Sequence, residues 1–281
     1  MLLYYILLIL FTISVLLFYL IVRAFKTPVN PHNNVPDDLG KEILEVSFPS
    51  IKGKQLYAWK VNTNPDFPTL ILVHGWGRNI ERMVPYMRKL CCRGFNMLAF
   101  DARGHGNSHR ESHMTVVKFA EDINSAVEFV VKDENQQNKE IMLIGLSIGG
   151  ASSILAASRD ARIRKVVTVG AFAHPLEVMR KQISDRHIPY IPFIWLFFKF
   201  VKWRTGLDFD GIAPVNNIAK AKADFLLIQG KDDIIVPLDQ ARKLKTAKPS
   251  AVLWEIPGRG HSNCHLENGF WEKVGDFLVH K

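Results

Sequence analysis

The segment Gly145-Leu146-Ser147-Ile148-Gly149 follows the apolar run Ile141-Met142-Leu143-Ile144 and precedes the small residues Gly150-Ala151-Ser152-Ser153. That order predicts a strand, a sharp turn and the start of a helix, with a serine at the turn. A serine hydroxyl suited to nucleophilic attack must stand exposed at the carboxyl end of a sheet, and glycines two residues to either side let the backbone pack that closely. Taken alone, the pattern equally describes a glycine-rich turn without chemistry. Acyl transfer by serine also needs a base to take its proton, an acid to orient that base, and donors for the developing oxyanion. Downstream, Gly230-Lys231-Asp232-Asp233-Ile234-Ile235-Val236-Pro237 follows the run Phe225 to Gln229 and supplies a carboxylate. Pro257-Gly258-Arg259-Gly260-His261 follows the run Ala251 to Ile256 and supplies an imidazole. The order is serine, acid, histidine.

These groups need strands to deliver them. Thr69 to Val73, Asn96 to Phe100, Ile141 to Ile144, Lys165 to Val169, Phe225 to Gln229 and Ala251 to Ile256 are short apolar runs, several flanked by glycine, as expected of parallel strands buried on both faces. Ile43 to Phe48 and Gln55 to Val61 flank a turn at Gly53 and predict an antiparallel hairpin. Helix-like stretches lie between: Ile80 to Cys92, Val116 to Lys132, Gly149 to Ser158 and Leu238 to Ala247. The alternation predicts an α/β fold with a doubly wound, mostly parallel sheet, whose active groups gather at the carboxyl ends of the strands.

With these pieces in view, the chain resembles the α/β-hydrolase fold superfamily from about Ile43 to its end, apart from a variable middle. Four motifs carry the likeness: His74-Gly75-Trp76-Gly77, Asp101-Ala102-Arg103-Gly104-His105-Gly106-Asn107-Ser108, the nucleophile elbow at Ser147, and the Gly230 to Pro237 block followed by Gly260-His261. The resemblance implies Ser147 as nucleophile, His261 as base and Asp233 as the acid, with Asp232 a solvated neighbour. It also implies backbone oxyanion donors at Ile148 and Trp76. His74 and His105 fall in loop-shaping motifs, and His265 and His280 lack the glycine-rich strand-end setting of His261. His105, His109 and His113 recur every four residues, but Gly104, Gly106, Asn107 and Ser108 break the helix that would make them a metal face. No metal and no cofactor is expected.

The remaining features place this machinery. Leu2 to Val22 contains no charged residue, and about 20 helical residues at 1.5 Å each cross a hydrocarbon core of about 30 Å. Residues 1–26 are therefore expected to form a transmembrane anchor. A cleaved signal peptide would show a basic start, a shorter apolar run and a small-residue cleavage site. Arg23 and Lys26 beyond the span put the catalytic domain on the cytoplasmic side. Pro28, Pro31 and Pro36 make residues 27–40 an expected tether, followed by the hydrolase domain over 41–281 with a cap inserted at about 172–222. The cap carries an aromatic run whose expected helix, Phe193 to Trp203, offers Trp195, Phe197 and Phe198 as an apolar wall for an acyl chain; a helix simply packed over the core is the bland alternative. Lys199, Lys202 and Arg204 beside it suit an interfacial contact. The net charge of +9 is scattered, without the aromatic-plus-basic patterns of nucleic-acid binding, and suits anionic lipid or substrate.

Together these imply a membrane-anchored serine hydrolase acting on an apolar or lipid-like carboxylic ester. Thioesterase, amidase, peptidase or acyltransferase activity would use the same triad. A noncatalytic scaffold at the membrane is the rival of another kind, and it has no need of all three groups in order. Substrate identity and oligomeric state leave no mark in the sequence.

Overall fold

A computed structural model describes residues 1–24, 26–33, 35–36, 39–185, 195–206 and 208–279. Eight strands form one sheet in the order β1-β2-β4-β3-β5-β6-β7-β8. The first two, β1 (Leu44–Pro49) and β2 (Gln55–Val61), are the expected hairpin, and β2 continues antiparallel onto β4 (Asn96–Phe100). The other strands, β3 (Thr69–Val73), β5 (Ile141–Leu146), β6 (Ile163–Val169), β7 (Asp224–Gly230) and β8 (Val252–Ile256), run parallel to β4. Every residue of β3, β4 and β5 is buried, which is why these strands are continuous apolar runs rather than alternating ones. Strand order reverses between β3 and β5, and the carboxyl ends of the strands at such a switch point are where α/β sheets carry their sites.

The helices cover both faces. The amphipathic α3 (Val116–Val131) starts at Thr115, whose hydroxyl accepts the Lys118 N–H, and turns Phe119, Ile123 and Val130 inward. Beside it α4 (Ile148–Ala157) is buried from Gly149 to Ala157, a position only its small residues allow. On the other face α2 (Val84–Leu90) and α9 (Phe270–Val279) pack Tyr86, Phe270, Val274 and Leu278 against Trp59, Leu72 and Ile144. The short α7 (Pro214–Asn217) and α8 (Leu238–Ala247) complete this body.

The chain divides into two compact units: residues 27–174 with 210–281, and residues 1–26 with 175–209. The second unit contains α1 (Leu2–Ala24), α5 (Pro175–Ser184) and α6 (Trp195–Thr205). Its core is Ile183, Phe198 and Phe209, with Phe18 and Val22 of α1 packed against them. The cap unit is thus narrower than the expected 172–222. Residues 210–222 belong to the main body, where Ile218 is fully buried and the His174 Nε2 meets Asp210 Oδ1 at 3.1 Å across the base of the insertion. Helix α1 runs 23 residues with no charge before Arg23. Eight of its side chains lie outside the described residues; among the described residues, no helix is long and apolar enough to cross a membrane.

Residues 27–40 are the expected tether, and several of its described residues are docked on the main body. Thr27 N–H donates to Ser112 O at 2.8 Å, Asn30 Nδ2 donates to Gly77 O, and Leu39 enters the core. The prolines exclude helix and sheet, yet backbone and side-chain hydrogen bonds from Thr27, Asn30 and His32 replace the missing ladder and hold the described part of the segment as a strap.

Candidate active site

The elbow between β5 and α4 holds Ser147 at φ 54°, ψ −120°, a left-handed-side conformation that a non-glycine residue adopts only where its surroundings impose it. Two glycines create those surroundings. A Cβ on Gly145 would lie 2.5 Å from Gly149 O, and one on Gly149 would lie 2.5 Å from His74 O and 2.6 Å from Val73 O. Neither contact is sterically admissible, so the strand-turn-helix join requires glycine at both positions. The spacing read from the sequence is therefore a packing requirement.

Two neighbouring strands bring the remaining groups. Ser147 N–H donates to Val169 O at 2.9 Å, at the end of β6. The next residue, Gly170, has φ 68° and sits so close to the base that a Cβ there would lie 3.1 Å from both Nδ1 and Cε1 of His261 and 3.6 Å from Asp233 Oδ2. The carbonyl that holds the serine amide and the glycine that faces the imidazole thus belong to consecutive residues. His261 Nδ1 and Asp233 Oδ2 are 2.7 Å apart, with the histidine partly exposed and the carboxylate buried. Among the described residues, no hydrogen bond of 3.5 Å or less joins Ser147 to His261. A hydroxyl is free to rotate, and such bonds tighten when substrate binds.

Asp233 is held by four donors: Ile235 N–H and Val236 N–H on Oδ1, each at 2.9 Å, and Gln229 Nε2 at 2.9 Å beside His261 Nδ1 on Oδ2. Asp232, its neighbour, is exposed. Gln229 was not singled out in the sequence, and it lies fully buried at the last position but one of β7, its Nε2 also donating to Val236 O at 2.8 Å. The available signal was a polar residue at the end of an otherwise apolar strand.

The loop after β3 carries Trp76. It passes directly over the elbow, since a Cβ on Gly75 would lie 3.3 Å from Leu146 O and 3.4 Å from Ser147 Cβ. This places the Trp76 backbone beside the start of α4, where Ile148 N–H begins the helix. His74 fixes the loop: its Nδ1–H donates to Gly75 O at 2.8 Å and its Nε2 accepts Ala102 N–H at 3.0 Å. Burial holds this imidazole below its ordinary pKa, so it stays neutral and structural. His105, 5.0 Å from it, is pushed down to about 3 by burial and by the neighbouring His74. Trp76 packs its indole edge-on to His105 at 5.8 Å.

Below the loop, Asp101 is a second organising carboxylate. It accepts Ile80 N–H at 2.7 Å, Asn107 N–H at 2.8 Å and His32 Nε2–H at 2.8 Å. Burial works to raise its pKa, but the His32 hydrogen bond and the other partners outweigh that and hold it below the usual value. The strap residue His32 is therefore part of the support of this loop, a role no local pattern announced.

The three aromatic residues expected to line a substrate wall fall in the other unit. Phe198 is buried in its core, with its ring 5.9 Å from that of Phe209. Trp195 is 47% exposed. The Phe197 side chain, and residues 193 and 194 of the expected helix, lie outside the described residues.

Comparison with known proteins agrees with this architecture. A family model described as "Serine aminopeptidase, S33" matches residues 65–204. The uncharacterized membrane protein YNL320W of Saccharomyces cerevisiae is 24% identical over 281 residues, covering 96% of this chain and 93% of its own. The uncharacterized protein YfhR of Salmonella typhimurium is 30% identical over 254 residues, covering 84% and 80%. Among solved structures, the Pyrococcus furiosus esterase Pf2001 superimposes with a TM-score of 0.72 at 26% identity, over 90% of this chain and 96% of that one.

Proposed function

This chain belongs to the α/β-hydrolase superfamily, and from that premise we propose that it is a membrane-anchored serine hydrolase that cleaves carboxylic esters with apolar acyl groups. Its likeness to an esterase across nearly the whole of both chains supports hydrolysis. The observation that carries the finer reading is the 2.7 Å contact of His261 with Asp233, at a ring packed on the glycine that follows the carbonyl holding Ser147.

In this reading Ser147 Oγ attacks the ester carbonyl while His261 Nε2 takes its proton. Asp233 holds the other ring nitrogen as donor and stabilises the imidazolium. The tetrahedral oxyanion is received by the amides of Ile148 and Trp76, each worth about 2.7–4 kcal/mol. Collapse expels the alcohol, protonated by His261, and leaves an acyl-enzyme that water hydrolyses by the same steps in reverse. Ser147→Ala is expected to abolish labelling by a fluorophosphonate probe without lowering Tm, and labelling that persists would overturn the assignment. A series of p-nitrophenyl esters of increasing acyl length, run beside matched anilides, separates an apolar-acyl esterase from the peptidase activity that the family description suggests.

Anchoring rests on α1. Its 23 residues span about 34 Å at 1.5 Å per residue, enough for a hydrocarbon core of about 30 Å. The yeast relative aligned over 96% of this chain, too much to omit this helix, is described as a membrane protein. Arg23 and Lys26 beyond it favour a cytoplasmic catalytic domain. Resistance of the full chain to alkaline carbonate extraction tests the anchor, and protease protection in sealed vesicles tests its orientation.

A further inference from the structure

The unit containing α1 also contains the cap, and the two share a core. Phe18 and Val22, four residues apart and so on one helix face, pack with Ile183, Phe198, Phe209, Met179 and Val201. The Phe18 ring meets that of Phe200 edge-on at 5.0 Å. The last two turns of α1 therefore complete the hydrophobic core of the cap, and α6 is held at the level of residues 18–22.

That level has a physical meaning once α1 is taken as a membrane anchor, the reading on which this inference rests. The uncharged stretch ends at Val22 and Arg23 follows, so residues 18–22 mark the boundary between acyl chains and headgroups. An α6 fixed there presents Trp203 (78% exposed) and Trp195 outward. Lys199 Nζ lies 5.5 Å from the Trp195 ring centre, and Lys202 is exposed beside them. Exposed tryptophans interleaved with lysines are the composition of a helix lying in the interface, rings among the acyl ends and ammonium groups among phosphates. In water the same face would be an unfavourable exposed aromatic patch.

We propose that α6 is seated in the headgroup boundary of a bilayer containing anionic lipid, fastened there by α1, so that the cap is a membrane-facing element and the preferred substrates are esters that partition into the bilayer. The occupant of the exposed α6 face is lipid, and the chain's net charge of +9 complements an anionic leaflet.

The test uses the full chain reconstituted in vesicles of phosphatidylcholine and phosphatidylserine that carry a phospholipid with a photoactivatable group in its acyl chain. Mass spectrometry then locates the adducts. Adducts on both α1 and residues 195–203 are expected. Adducts on α1 alone would overturn the seating of the cap while leaving the anchor intact. No adducts on either, with release by carbonate, would remove the anchor and this inference together. A second measurement reads function: Trp203→Glu is expected to lower hydrolysis of a vesicle-borne long-chain ester about tenfold, while hydrolysis of a soluble short-chain ester stays unchanged. Equal activity of parent and Trp203→Glu on the vesicle-borne ester would overturn the proposal. So would conversion of a dimer to a monomer by that substitution without lipid adducts on α6, because the face would then belong to a second copy.

Discussion

Gln229 shows how much of a triad lies outside its three named members. Its amide donates to the same Asp233 oxygen that receives His261 and to Val236 O, so it fixes the carboxylate and the turn behind it with one side chain. A hydrogen bond to a charged group contributes about 1.5–3 kcal/mol. Gln229→Leu is therefore expected to lower kcat/KM about 10- to 100-fold through kcat, with little change in KM. Gln229→Glu separates positioning from packing. It is the same size, donates only while protonated, and once ionised faces Asp233 with a like charge that raises its own pKa. Its pH-rate profile should gain a falling limb with rising pH that Gln229→Leu lacks; parental kcat/KM in Gln229→Leu would end the argument. The buried pair His74 and His105 contributes a pH dependence of stability at the same scale. Both pKa values are lowered by burial, that of His105 from 6.5 to about 3, so below the ordinary imidazole value the unfolded chain binds protons that the folded chain does not. Stability is then full above pH 6.5 and is lost as pH falls toward about 3, with a slope of up to about 1.4 kcal/mol per pH unit for each ring. Urea midpoints measured across that range are expected to decline on acidification, and the decline should shrink in His105→Gln.

Among elements, the elbow and the strap make contrasting predictions about legibility. Gly149→Ala would force a methyl within 2.5 Å of His74 O, pushing β3 and the Trp76 loop away from the serine. A loss of about 1–3 kcal/mol is expected, or several degrees of Tm at this chain length, together with loss of activity, whereas Ser147→Ala loses activity alone. A Gly149→Ala protein with parental Tm would show that the join is looser than its geometry. This element was readable from sequence because its requirement is local: strand, glycine, serine, glycine and small residues follow one another within ten positions. The buried strands were readable for a similar reason, since burial on both faces leaves nothing but apolar residues in β3, β4 and β5. Residues 27–40 were not. Thr27, Asn30 and His32 find their partners at Ser112, Gly77 and Asp101, and no periodicity within the strap encodes contacts to residues that distant. His32→Ala would leave the buried Asp101 carboxylate without one of its donors, at an expected cost of about 1–3 kcal/mol. Thermal unfolding of the full chain in detergent checks it, and an unchanged Tm would reduce the strap to a passive lead from α1.

At the scale of the whole molecule, the division of the chain into units does not follow its sequence. The first 26 residues group with residues 175–209 rather than with the strap that follows them, so the N-terminal helix has a structural duty besides any membrane crossing. The main body has its own core, with Leu39 and Phe270 in one cluster, and among the described residues that cluster includes none from α1. Removing residues 1–26 should therefore leave the sheet, the elbow and fluorophosphonate labelling of Ser147 in place. The cap is the part that suffers. Without Phe18 and Val22, the side chains of Ile183, Phe198, Met179 and Val201 lose a covering surface, and newly exposed apolar area of that kind drives self-association. The truncated chain is expected to bind an apolar reporter dye more strongly than the full chain in detergent and to run as an oligomer in size exclusion, and replacing Phe198 by serine in the truncated chain should reduce both effects. A monodisperse, monomeric truncated protein with no added dye binding would show that the cap closes its core unaided, without a packing role for α1.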